Sequence, residues 1–454
     1  MEIPVEKNKE YEVKIIDNGY DGEGIAKIND FTIFVKEAIK GEFCKILIVK
    51  VNKSFAFGKL VEVLKSSENR VNPDCATYKR CGGCSLRHMK YDETLKIKKD
   101  IVQNLVNKNL KNSITINDVI GMESPYYYRN KLQYPVGINK QGIPVMGVFA
   151  NRTHEIIPVE SCLIQNKEAE KVAKEIFKFI KEKNISIYDE KTGSGAIRHI
   201  IVKIGVKTNE IMCIIVSNNE KFGKEKELVE TIIKEFPEVK TIIKNINDKN
   251  TNVILGNKNV ILYGDGYIYD KLGNYMFKIS TKSFYQTNPI QTEVLYNKAI
   301  EFAKLDKNDI LCDLYCGIGT IGIFASTKVK KVYGIEIVEE AVEAAKENAR
   351  LNNVDNIEFI AGDVEEAFKE LVEEHYVEPT AIIVDPPRRG LDGTTINKVL
   401  ELEVEKLVYV SCNPATMVRD LKILEEKYDV KEIQPVDMFP FTSHVECVAL
   451  LKLR

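Results

Sequence analysis

A chain of 454 residues is too long for one hydrophobic core, so two or three domains are expected. Its 44% hydrophobic and 29% charged residues are those of a globular protein, and no apolar run approaches the roughly 20 residues of a membrane helix, which excludes a spanning helix. The net charge of -2 conceals 7 basic against 2 acidic residues over 79–99, offset by 3 against 13 over 336–374, so a nucleic-acid partner is not excluded. Residues 1–10 are charged and lack the apolar core of a signal peptide, so a cytoplasmic location is expected. In that compartment the ten cysteines read as metal ligands or nucleophiles rather than disulfides.

Residues 1–66 carry short β runs at 11–16, 31–35, 44–49 and 56–64. Asn18-Gly19 and Asp21-Gly22-Glu23-Gly24 supply turns, and together they predict a small OB-like barrel. Such a barrel often presents a face to oligonucleotides; a plain β module is the alternative. Next come Cys75, Cys81 and Cys84 in a C-x5-C-x2-C spacing around Gly82-Gly83. Thiols this close suit a metal centre that is one ligand short, and Cys162 is the candidate fourth. Spacing does not choose between zinc and an iron–sulfur cluster, and free structural cysteines are the bland alternative.

Residues 93–110 have helical apolar spacing, with lysines expected on the opposite face. The run Pro125-Tyr126-Tyr127-Tyr128-Arg129-Asn130-Lys131-Leu132-Gln133-Tyr134 suits stacking on unpaired bases, or equally a tyrosine-rich core strand. Strands at 145–149 and 197–202 and helices at 168–182 and 225–235 predict an α+β middle domain over 67–280, within which 93–124 could instead pack with the following domain.

Over 281–454 a helix at 291–303 precedes a βαβ alternation, predicting a Rossmann-like α/β domain. The first strand, 310–314, runs into Tyr315-Cys316-Gly317-Ile318-Gly319-Thr320, where glycines let a cofactor approach the backbone. Acids stand at the ends of four successive strands: Asp313, Glu336, Asp363 and Asp385. Glu336 suits ribose hydroxyls, and the missing third glycine argues against a dinucleotide and for S-adenosylmethionine. A further strand ends at Cys412, in Ser411-Cys412-Asn413-Pro414, where the chain must turn. An isolated cysteine there would be read as a small buried hydrophobe.

These motifs together, Asp313-Leu314-Tyr315-Cys316-Gly317, Asp385-Pro386-Pro387-Arg388, Ser411-Cys412-Asn413-Pro414-Ala415-Thr416 and His444-Val445-Glu446-Cys447, resemble the RNA (uracil-5-)-methyltransferase family of the RumA/TrmA type. The amino-terminal segment resembles a TRAM domain. The resemblance implies a catalytic nucleophile at Cys412 and a base at Glu446. It implies S-adenosylmethionine contacts at Gln286, Tyr315, Glu336 and Asp385, to which position adds Gly317 and Asp363, and a [4Fe-4S] cluster on Cys75, Cys81, Cys84 and Cys162. Where family members carry threonine after the catalytic glutamate, this chain has Cys447, a change expected to alter packing only. Barrel and cluster mark the branch acting on 23S ribosomal RNA, so the expected reaction is methylation of an unpaired loop uridine, by a monomer. A tRNA uracil-5-methyltransferase and a non-catalytic iron–sulfur RNA-binding protein are the alternatives.

Overall fold

A computed structural model describes residues 3–151, 153–218 and 221–454. Strands β1 (Glu10–Asn18), β2 (Gly24–Ile28), β3 (Phe31–Lys36), β4 (Phe43–Val51) and β5 (Phe55–Lys65) close into a barrel in the order β1-β2-β3-β5-β4. Strand alternation turns Ile15, Ile33, Val35, Ile46 and Ala56 inward. It leaves Phe34, Phe55 and Phe57 outside, with ring centroids 5.5 to 5.9 Å apart.

After the cysteine loop come α1 (Tyr91–Asn109) and the two-residue β6 (Thr115–Ile116). The middle unit comprises β7 (Lys131–Ile138), β8 (Pro144–Phe149), β9 (Ile156–Pro158), α2 (Lys167–Glu182), β10 (Ile197–Ile204), β11 (Ile211–Ser217), α3 (Glu225–Glu235), β12 (Val239–Ile246) and β13 (Lys258–Tyr263). Its seven strands form one sheet, β13-β12-β11-β10-β7-β8-β9, with the two helices packed on one face. The tyrosine run is not one strand: β7 begins only at Lys131, and Tyr127 takes a φ of 54° that breaks any ladder before it. The hairpin β14 (Tyr267–Leu272) and β15 (Tyr275–Ser280) joins the units, packing Ile268 and Ile279 on the middle sheet and Leu272 and Phe277 on the carboxy-terminal core.

The carboxy-terminal part runs α4 (Pro289–Ala303), β16 (Ile310–Leu314), α5 (Thr320–Ser326), β17 (Lys331–Glu336), α6 (Glu339–Leu351), β18 (Ile357–Ala361), α7 (Val364–Glu373), β19 (Ala381–Val384), α8 (Gly393–Leu402), β20 (Lys406–Ser411), α9 (Pro414–Leu424), β21 (Tyr428–Val436) and β22 (Glu446–Leu453). Its sheet has the order β18-β17-β16-β19-β20-β22-β21-β6, parallel from β18 through β20, with β22 antiparallel to both its neighbours. The central strands are buried on both faces, which is why they read as unbroken β-branched runs. The order reverses between β16 and β19, opening a crevice at the carboxyl ends of these strands.

Helix α1 belongs to this core, where Val102 and Val106 join Leu421 and Ile433, and β6 extends the sheet beside β21. The expectation of a lysine face fails at Lys98. Its ammonium is fully buried, 2.5 Å from Asp437 and 3.1 Å from the Phe439 carbonyl. Among the described residues no helix is long and apolar enough to cross a membrane.

Candidate active site

The loop after β16 forms the floor of the crevice. Tyr315, Gly317 and Gly319 all adopt positive φ, at 66°, 57° and 79°, and a Cβ at Gly317 would meet nothing within 4 Å, so this side of the loop is open to a ligand. Glu336, at the end of β17, accepts from the Gly317 amide at 3.1 Å and the Val338 amide at 3.0 Å, which holds its carboxylate at the crevice edge. The Tyr315 hydroxyl donates to Asp392 at 3.1 Å, fixing its ring beside α8.

The four acids divide into two roles. Asp313 lies inside β16, fully buried, with Oδ2 accepting from the Gly322 amide at 2.8 Å; it anchors the first turn of α5, and burial pushes its carboxyl up to about 8. Asp363 follows β18, but its carboxylate caps α7 through the Glu365 amide at 3.0 Å. Glu336 and Asp385 stand at the crevice, and desolvation pushes the Asp385 carboxyl up to about 7. Gln286, whose carbonyl accepts from Asn130 at 3.0 Å, comes to the crevice from the segment before α4. Its amide bonds the Tyr296 hydroxyl, which also accepts from Thr320 at 3.2 Å. Tyr296 lay unread in the sequence because a tyrosine on an apolar helix face looks like core.

Cys412 and Glu446 come from opposite ends of the chain's last crossover. Ser411 pairs with Cys447 across β20 and β22, so the residue after the first and the residue before the second face one another at the sheet's end. Glu446 is buried, and desolvation, reinforced by Asp385, pushes its carboxyl up to about 8. Cys412 is half-buried; desolvation, then the charges of Glu446 and Asp385, push its thiol up to about 11. Arg388, in the turn after β19, opposes both shifts, favouring thiolate and carboxylate alike. It is the residue that sequence reasoning quoted without assigning it work. Cys447 itself is fully buried in the sheet core, as a packing residue would be.

The other cysteine group assembles away from this crevice. Cys75, Cys81, Cys84 and Cys162 line one pocket together with Arg87, Arg129 and Gln165. The thiols of Cys162, Cys81 and Cys75 add to the burial that pushes Cys84 up to about 12, so the four lie within each other's fields. Buried Arg87 pairs with Asp74 at 2.5 Å, and its remaining Nη1, like Arg129 Nε and Gln165 Oε1, has no protein partner. Among the described residues no three His, Cys, Asp or Glu side chains are placed to hold a single metal ion.

Comparison with known proteins follows the same division of the chain. A family model described as tRNA (Uracil-5-)-methyltransferase matches residues 240–454, and a TRAM domain model matches 4–61. An uncharacterized RNA methyltransferase of Clostridium acetobutylicum is 48% identical over 454 residues, 99% of this chain and 98% of that protein. One of Oceanobacillus iheyensis is 44% identical over equal shares. Among solved structures, Pyrococcus abyssi tRNA (uracil-54, C5)-methyltransferase in complex with S-adenosyl-L-homocysteine superposes with a TM-score of 0.76 at 26% identity, covering 97% of this chain and 100% of that one.

Proposed function

We infer, from a chain that belongs to the RNA (uracil-5-)-methyltransferase family and depends on S-adenosylmethionine, that this protein methylates carbon 5 of a specific unpaired uridine in 23S ribosomal RNA. The observation that carries the chemistry is the placement of Cys412 and Glu446 next to the Ser411–Cys447 pair that ends β20 and β22, close enough for the charge of one to act on the other. Carbon 5 of uracil is too electron-poor to attack a methyl donor unaided. The Cys412 thiolate forms a bond to carbon 6, and the ring becomes an enolate nucleophilic at carbon 5. S-adenosylmethionine supplies the electrophilic methyl group. Glu446 then takes the carbon 5 proton, the carbon 6–sulfur bond breaks, and the thiolate leaves with its electron pair. A carboxyl raised to about 8 by burial is a stronger base than an exposed one, which suits removal of a carbon-bound proton. Gln286, Tyr315, Gly317, Glu336 and Asp385 are assigned to the cofactor, together with Asp363, which would offer the carboxylate oxygen that the Glu365 amide does not engage.

A [4Fe-4S] cluster on Cys75, Cys81, Cys84 and Cys162 fits the donors present. The four thiols line one pocket, and a cluster there would take one thiolate per iron. The unpartnered N–H groups of Arg87 and Arg129 suit an anionic centre. When bound, it would cross-link the cysteine loop to the strand-end segment carrying Cys162.

The ribosomal substrate rests on the joint presence of barrel and cysteine set. A tRNA substrate is the second reading, favoured by the Pyrococcus enzyme, whose described substrate is tRNA uracil 54 and which this chain matches through its barrel. Anaerobically purified protein incubated with unmodified ribosomal RNA and methyl-labelled S-adenosylmethionine separates them by nucleoside analysis. Labelled 5-methyluridine in ribosomal RNA, lost with Cys412→Ala, is expected. Label on tRNA alone transfers the assignment to that branch, and label on neither removes the enzymatic reading.

A further inference from the structure

The barrel reaches the catalytic end of the sheet. Its β1–β2 loop is tightly closed: the Gly19 amide donates to the Glu23 carbonyl at 2.7 Å, the Gly22 amide to the Gly19 carbonyl at 3.0 Å, and Asn18 Nδ2 to the Ala38 carbonyl at 3.2 Å. At Gly22, with φ of 81°, a Cβ would stand 2.3 Å from Leu86 and 3.6 Å from the Ser443 side chain, so the loop lies flush against the turn that leads into Glu446. From its tip the Tyr20 hydroxyl donates to Asn413 Oδ1 at 3.0 Å, across 393 residues of chain. Asn413 follows Cys412 directly.

The Asn413 side chain is a junction. Its oxygen also accepts from the Ala415 amide at 3.1 Å, capping α9, while its Nδ2 donates to the Arg388 carbonyl at 3.1 Å. Its backbone amide donates to Ser411 Oγ at 3.1 Å. The amide therefore ties the thiol-bearing turn, the start of α9 and the arginine turn into one unit, and Tyr20 is the tether from outside the lobe. The phenol lies within the fields of Cys447, Arg388 and Cys412, and desolvation first, then Asp21, raises it above its ordinary value, so it stays a hydrogen-bond donor at neutral pH. Asp21 acts in turn on His444, two residues before Glu446. One barrel loop thus touches both turns that carry the reacting side chains.

We propose that Tyr20 is a positioning residue for methyl transfer: its hydroxyl fixes Asn413, and through it the direction of the Cys412 thiol, so that the barrel completes the active site besides gripping RNA. This rests on the uridine-methylating reading above. The role belongs to the step in which the thiol meets carbon 6, so it appears in turnover rather than in affinity.

The test is a double-mutant cycle on the full-length protein with Tyr20→Phe, which keeps the ring, and Asn413→Ser, which keeps a capping oxygen but cannot reach the phenol. Tyr20→Phe is expected to lower kcat about 3- to 10-fold, the worth of one hydrogen bond, with KM for RNA unchanged. Adduct formation with RNA carrying 5-fluorouridine, whose carbon 5 fluorine cannot be removed as a proton, should slow by the same factor. The double variant should be no slower than Asn413→Ser alone. Unchanged kcat in Tyr20→Phe, a rise in KM alone, or effects that multiply in the double variant overturns the proposal. If the wild type transfers methyl to no RNA, the functional reading itself fails and this falls with it; an active wild type matched by Tyr20→Phe removes this inference only.

Discussion

Glu446 has to lose a proton in a place that disfavours charge. Its carboxyl moves from an ordinary 4.5 to about 8, so between those values the folded protein keeps a proton that the unfolded chain releases, and stability falls as pH rises through the window. Glu446→Gln removes that dependence: its melting temperature relative to wild type should climb steadily between about pH 5 and pH 8, as scanning calorimetry would record, while methylation is lost. A gap that stays constant with pH would mean the carboxyl is not displaced. Arg388 works in the other direction, and Arg388→Gln should shift the pH profile of Cys412 alkylation by iodoacetamide upward and slow turnover several-fold. Strand and turn residues put Cys412 at a strand end, but its role and the choice of Glu446 came from the family resemblance, since a lone cysteine there reads as a buried hydrophobe and a lone strand carboxylate as an exposed one. Arg388 and Tyr20 were not legible, since a charge in a turn or a tyrosine in a glycine loop shows its target only when folding brings together positions 24 or 393 apart in the chain.

At the level of elements, α1 shows where periodicity stops informing. Its apolar residues were readable, but Lys98 shares their face and is neutralised by Asp437 rather than by water. Asp437, which also accepts from Tyr91 at 2.7 Å, opens the turn running to Glu446, so the helix anchors that turn. Lys98→Met leaves a buried carboxylate without its cation and should cost about 3–5 kcal/mol in urea denaturation, much of it restored by adding Asp437→Asn. The barrel's outer face makes a different kind of element. Phe34, Phe55 and Phe57 stand together, with Lys36 registered against Lys59 and Lys50 against Phe57. Rings beside cations provide stacking for unpaired bases, so Phe57→Ala should raise KM for RNA about tenfold and leave kcat alone, the inverse of what is expected at Tyr20. The barrel fold was readable from alternation and glycine turns, but which outer residues cluster depends on β3 pairing with β5, a long-range choice that alternation does not specify.

For the molecule as a whole, the cysteine loop is where three units meet. Leu86 packs on the barrel's Gly22 and donates its amide to the Phe441 carbonyl at 2.9 Å, and Ser85 Oγ accepts from the Ser443 amide at 3.1 Å. Arg87 lies 4.3 Å from the Phe441 ring centroid and 5.1 Å from that of Tyr126, and Tyr128 donates to the Pro440 carbonyl at 3.2 Å. Every one of these contacts to the carboxy-terminal unit falls on the turn before Glu446 and none on the glycine loop, which has its own core around Ile318, Ile321 and Phe359. A perturbation at the cysteines should therefore reach the base and spare the nucleotide crevice. Cys84→Ser should lower the melting temperature, expose residues 72–90 to proteolysis and depress methylation, while S-adenosylhomocysteine affinity, measured by calorimetry, stays within about twofold of wild type, because sites without shared partners contribute independently. Loss of that affinity alongside activity would instead make the cysteine loop part of the fold of the catalytic lobe, and the separation of base turn from cofactor loop would no longer hold.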